Sequence, residues 1–232
     1  DALPIFKAGS TTFGHRFMAP DALTIDKADD YLSKLEQAYV LADRSRRLAL
    51  IKEKAEALAA SEGLVLVDDA GLLAEVAGLV EWPVPLMGKI DDEFMDVPEE
   101  VLVSVMRTHQ KYLALRDKDG QLAPRFITIA NIETADKGAK IIAGNERVLR
   151  ARLSDARFFW DEDRKTDLSA RKPELEKVTF HAKLGTVSDK TDRIEKLVAY
   201  FANIESGFSF EDLSQNASDE VASEAAALCK AD

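Results

Sequence analysis

The run Asn145–Trp160, NERVLRARLSDARFFW, holds the residues whose types and spacing best suit chemistry. Wound as an α-helix at roughly 100° per residue, it brings Leu149, Leu153, Ala156 and Trp160 within about 60° of one another. Arg147, Arg150, Ser154 and Arg157 form a second stripe beside that apolar one, and Arg152 falls on its other flank. Guanidinium groups are planar forks of donors, so several beside a packing seam suit phosphates or carboxylates. The plainer reading is a solvated face supported at helical spacing by Glu146, Asp155 and Asp161.

No catalytic pattern accompanies this helix. The sequence lacks G-x-x-x-x-G-K-[ST] and G-x-G-x-x-G, so no phosphate-binding loop is legible. One cysteine, Cys229, excludes a Cys-based zinc site. The three histidines, His15, His109 and His181, are followed by Arg16, Gln110 and Ala182, so no adjacent His-Asp metal pair exists. Asp161, Glu162 and Asp163 resemble an acidic cluster, yet consecutive helical residues point in different directions. Ser10, Thr11 and Thr12 lie near His15 without a third, orienting group at a recognisable spacing. The expectation is no catalytic residue and no metal ligand.

The elements that must position these groups read as follows. Pro4, Gly9, Gly14 and Pro20 surround an extended loop or edge strand at Thr11–Phe17. Helical periodicity runs from Ala28 to Ala60, with Asp43 as an N-cap between two halves, Gly63 closing the second, and a short strand at Leu64–Val67. Leu72–Val80 is helical with Asp69 near its start, and Glu81–Pro85 breaks it. Pro98 stands at the first position of a helix reaching about His109. Tyr112–Arg116 and Arg125–Ile132 read as strands joined through the turn signal Asp119-Gly120. Helices follow at about 138–160, 167–177 and 186–203, then a Ser/Asn/Asp-rich connection at 205–218 and a last helix from about Asp219. The expected organisation is an α+β domain over residues 1–178, followed at 179–232 by the start of an all-helical domain.

At 232 residues, 46% hydrophobic and 31% charged, the composition is that of an ordinary globular chain. No apolar run approaches the roughly 20 residues of a membrane span. A lone cysteine fits a reducing cytoplasm. The net charge of −11 argues against a general nucleic-acid binder. Charge is uneven, however: Lys and Arg outnumber acids in 137–172, whereas 205–232 carries one Lys among many acids. The opening Asp1-Ala2-Leu3-Pro4 and an uncapped terminal helical pattern lead to the expectation of an interior piece of a longer polypeptide.

Five blocks occur in order: Thr12-Phe13-Gly14-His15-Arg16-Phe17; Leu79-Val80-Glu81-Trp82-Pro83; Met106-Arg107-Thr108-His109-Gln110-Lys111-Tyr112; Pro124-Arg125-Phe126-Ile127 with Ala130-Asn131-Ile132; and Gly144 through Leu153. Together they resemble the β subunit of bacterial heterotetrameric glycyl-tRNA synthetases. Lys183-Leu184-Gly185, Asp189-Lys190, Arg193-Ile194 and the terminal Lys230-Ala231-Asp232 fit as well. Leu113 departs from the pattern, where an aromatic is expected.

The resemblance implies the following. The family joins glycine to tRNA(Gly) with ATP as an α2β2 assembly. ATP and Mg belong to the catalytic alpha subunit, and this fragment holds no cofactor. Its first part is similar to the B3/B4-type module of phenylalanyl-tRNA synthetase, and the part from 179 begins an HD-like helical domain that is truncated. The expected partners are the alpha subunit and tRNA(Gly), with no membrane and no DNA, in the cytoplasm. The expected role is non-catalytic scaffolding and tRNA positioning. The alternatives are an editing deacylase and a pure subunit interface; glycine's lack of a side chain leaves little for editing to correct. Arg147, Arg150 and Arg157 are then the phosphate-facing candidates, with His109 and Lys111 at a helix end. Gly14, His15, Arg16, Trp82 and Pro83 are read as structural: Gly14 at positive φ, His15 bonded to backbone, and Trp82 buried at a helix stop.

Overall fold

The computed structural model describes residues 9–202 and 219–231; the connection read at 205–218 lies outside the described residues. The chain divides into two compact units, residues 1–158 and 159–232. Helix and strand are mixed, and every sheet is antiparallel.

In the first unit β1 (Thr11–Phe13) pairs with β2 (Ala22–Thr24). The helical stretch from Ala28 divides into α1 (Tyr31–Gln37) and α2 (Arg44–Ser61), the latter capped by Asp43, which accepts from the N–H groups of Ser45 and Arg46. α1 ends on Tyr39 at φ 61°, a left-handed conformation that costs a non-glycine residue on the order of 1 kcal/mol. β3 (Val65–Leu66) leads to α3 (Ala70–Val76), where Asp69 accepts from Leu72 N at 2.8 Å.

Three strands complete the main sheet: β4 (Val84–Lys89), β5 (Leu113–Arg116) and β6 (Leu122–Ala130), in the order β3–β5–β6–β4. The sequence marked 81–85 only as a break, yet a strand begins inside it. Pro85 cannot donate to a ladder, and the edge position of β4 tolerates that. Pro98 is the N-cap of α4 (Glu99–Val105), at φ −51° and ψ 139°, one position earlier than expected. That helix then continues as a π turn over Met106–Gln110 and stops at Lys111, φ 59°.

Both faces of the sheet are covered, and alternation along β5 shows it. Leu113 and Leu115 join Ile51, Ala55, Leu72 and Val76 from α2 and α3. Tyr112 and Ala114 join Leu102, Met106 and Phe126, with Leu149 and Leu153 from α5 (Ala139–Asp163), on the opposite face. Two buried faces leave no polar side to alternate with, so β6 reads as nearly continuous apolar sequence. Gly88 in β4 is required by this packing, because a Cβ there would lie 2.4 Å from the Phe126 ring. Leu113, 1% exposed, packs in the core without the expected aromatic.

The second unit contains α6 (Leu168–Arg171), a 3-10 helix over Lys172–Lys177, β7 (Thr179–His181), β8 (Gly185–Thr186), α7 (Val187–Ala202) and α8 (Asp219–Leu228). The segment expected to be wholly helical from 179 therefore opens with a small hairpin. Asp189 accepts from Thr186 N at 2.7 Å and ties that hairpin to α7.

Candidate functional site

The apolar stripe on α5 packs as its periodicity requires: Leu149 and Leu153 are each 1% exposed. The stripe beside it is engaged with the chain itself. Lys89 N donates to Glu146 Oε1 at 2.9 Å. Arg150 grips Asp91 through two donors, its Nη2 reaching Oδ1 at 3.1 Å. Arg157 donates to the Glu93 carbonyl and to Asp96 Oδ2, the latter at 2.7 Å. These residues come roughly one per turn and hold segment 89–96 against the helix. Arg150 also keeps the Asp91 carboxyl below its ordinary range by hydrogen bonding to it. Arg147 and Arg152 are exposed, and neither has an ion pair or hydrogen bond among the described residues.

A fourth tie starts from β5. The Tyr112 hydroxyl donates to Asn145 Oδ1 at 2.6 Å, while Asn145 Nδ2 donates to Ile141 O at 2.7 Å and so fixes the amide's orientation. The Tyr112 ring stacks on Phe126 at 4.4 Å, and burial pushes its hydroxyl up to about 12. This bond joins α5 to the residue directly after the π turn. Within that turn His109 is exposed, whereas Lys111 Nζ pairs with Glu75 at 2.9 Å. Arg107, which sequence reasoning passed over, pairs with Asp69 at 2.6 Å and holds its carboxyl below the usual range.

The other motif residues meet at a second junction. His15 is 1% exposed, with Nε2 2.6 Å from Asn131 O. Its Nδ1 accepts from Phe17 N at 3.3 Å and Met18 N at 3.2 Å, which assigns the ring proton to Nε2. Asn131 Oδ1 in turn accepts from Glu81 N at 2.7 Å and Trp82 N at 2.9 Å. Trp82 is half-buried, donates to Glu133 Oε1 at 2.9 Å, and meets the edge of Tyr39; Pro83 is fully buried. Gly14 does not adopt the expected positive φ. It is needed for close approach, since a Cβ would sit 2.5 Å from Ala38 Cβ, where His15 N bonds Ala38 O. Arg16 is exposed and lies 5.1 Å over the Phe17 ring. Beside the junction is a cleft of about 520 Å³ lined by residues including Arg16, Val40, Arg47, Leu79, Glu81 and Asn131. Arg47 and Asn131 were not singled out in sequence, because their partners are backbone groups distant along the chain.

Both ring nitrogens of His15 are committed to backbone, so the imidazole cannot activate Ser10, Thr11 or Thr12. Among the described residues no group of three His, Cys, Asp or Glu could hold a metal ion, and no helix is long and apolar enough to cross a membrane.

The five ordered blocks thus supply the contacts that fix the first unit. Over residues 3–232 the sequence matches the family model described as glycyl-tRNA synthetase beta subunit. It is 56% identical over 198 residues to the glycine–tRNA ligase beta subunit of Rhodospirillum centenum, covering 85% of this chain and 28% of that protein. The corresponding protein of Chromohalobacter salexigens is 51% identical over 197 residues, with 85% and 28% covered. That of Phenylobacterium zucineum is 50% identical over 197 residues, with 84% and 29% covered. The chain spans under a third of the length of these relatives. The match runs along almost the whole sequence and takes in the residues at both junctions: the chain belongs to the glycyl-tRNA synthetase beta subunit family.

Proposed function

We propose that this chain is a central, non-catalytic segment of a glycine–tRNA ligase beta subunit, serving as scaffold and as a positioning surface for tRNA(Gly). The observation that carries the reading is the internal use of the motif residues. His15, Asn131, Trp82, Tyr112, Asn145, Glu146, Arg150 and Arg157 each bond another segment of the chain, as a scaffold needs. Residues 1–178 would be the B3/B4-like module and 179–232 the first part of an HD-like domain. ATP, Mg and the chemistry of glycine activation would belong to the alpha subunit in a cytoplasmic α2β2 assembly.

On this reading Arg147 is the leading phosphate contact, because its guanidinium is exposed and unspent. Arg150 and Arg157 line the same flank and keep solvent-facing N–H groups, with His109 and Lys111 at the neighbouring turn. Such contacts hold RNA in register without reading its bases. The test titrates fluorescent tRNA(Gly) with the full-length beta subunit at two salt concentrations. Arg147→Glu should weaken binding and reduce the salt slope by about one. Unchanged affinity and slope in a folded variant would remove RNA from this face.

A further inference from the structure

The cleft beside His15 and Asn131 is rimmed by side chains that intramolecular packing leaves to solvent. Leu79 is 63% exposed and Phe17 69%. Tyr39 stands edge-on to Trp82, with ring centroids 5.3 Å apart, directly before the lining residue Val40. Isolated exposed apolar side chains are ordinary, whereas several around one concavity mark an interaction surface. Phe, Tyr, Trp and Arg are also the types enriched at the cores of protein interfaces.

Tyr39 supplies an independent observation. Its N–H bonds Glu36 O at 3.1 Å and the Val40 N–H bonds Leu35 O at 2.9 Å, the paired bonds of a Schellman helix ending. Glycine occupies that left-handed position without strain, yet here a large aromatic is held at φ 61°. Strain of this kind concentrates at functional surfaces. Charge points the same way. Arg16 and Arg47 border the cleft against the single carboxylate of Glu81, and neither arginine has a carboxylate within ion-pair distance among the described residues. Arg47 is spent on the carbonyls of Leu41, Ala42 and Ala77. On a chain of net charge −11 this is a locally cationic, apolar-walled seat.

We infer that this rim receives the partner subunit: an aliphatic side chain of the catalytic alpha subunit enters the cleft against Leu79, and a neighbouring carboxylate pairs with Arg16. The inference rests on the beta-subunit reading above. Val40, Leu41 and Val80 in the walls favour a polypeptide over the phosphate backbone of RNA.

The test compares full-length wild-type beta subunit with Leu79→Asp, Arg16→Glu and Tyr39→Gly, measuring the Kd for the alpha subunit by titration calorimetry. Affinity for tRNA(Gly) and melting temperature are measured in parallel. Leu79 and Arg16 are solvent-exposed, and Tyr39→Gly relieves backbone strain, so the fold should survive. Leu79→Asp and Arg16→Glu should raise the Kd by at least about tenfold, and Tyr39→Gly several-fold, with tRNA affinity unchanged. Unaltered alpha-subunit affinity in all three variants overturns the inference. So does a loss of tRNA affinity with alpha-subunit binding intact, which would make the rim an RNA surface. Failure of the tRNA-positioning reading looks different: a wild-type protein that binds the alpha subunit and no tRNA.

Discussion

The Tyr112–Asn145 bond gives the arginine helix its hold on the sheet, and it makes that hold sensitive to alkali. Tyr112 is 2% exposed, and burial raises its hydroxyl from 10.0 to about 12. Below pH ~10 both folded and unfolded chains keep the proton, so this group adds no pH dependence. Between pH ~10 and pH ~12 the unfolded chain releases its proton while the folded one retains it, and the native state loses ground. Two pH units at about 1.4 kcal/mol each amount to a loss of about 3 kcal/mol, complete once pH passes the folded value. Tyr112→Phe keeps the stacking on Phe126 and removes only the hydroxyl. At neutral pH it should cost about 1–2 kcal/mol, because Asn145 Oδ1 loses its donor. The assay is urea unfolding followed by circular dichroism across the alkaline range, for both proteins. Their stability curves should converge as pH rises, since only the wild type carries the Tyr112 contribution. Parallel curves, with equal alkaline losses, would refute the assignment of this bond and of the burial behind it.

Gly88→Ala should destabilise the first unit by about 1–3 kcal/mol in the same unfolding assay, because Phe126 is fully buried and cannot yield to a new Cβ. Asp43→Ala should cost about 1 kcal/mol by removing the acceptor for the N–H groups of Ser45 and Arg46, read as a lower melting temperature. Asp91→Asn should leave the fold intact and lower the melting temperature slightly, a difference that fades at high salt because the Arg150 pair is solvent-exposed.

Local rules account for what the sequence determined by itself. Asp43 and Asp69 announce helix starts because a short carboxylate can reach N–H groups two or three residues ahead. The strands β5 and β6, their turn at Gly120 with φ 80°, and the packed stripe of α5 follow from β-branched runs, turn chemistry and a 3.6-residue period. The ordered blocks were enough to indicate the family. Other features depended on partners far along the chain. β4 looked like a break because Pro85 is tolerated only once β6 pairs with one edge. Gly14 suggested a turn, whereas Ala38, pressing on it from another segment, explains why no side chain fits. Arg150 and Arg157 looked like a free basic stripe. Their carboxylate partners stand 59 and 61 residues upstream, and helical spacing within α5 says nothing of what packs against its flank. Only the folded chain, bringing segment 89–96 onto α5, decides which guanidiniums are spent and leaves Arg147 outside the clamp.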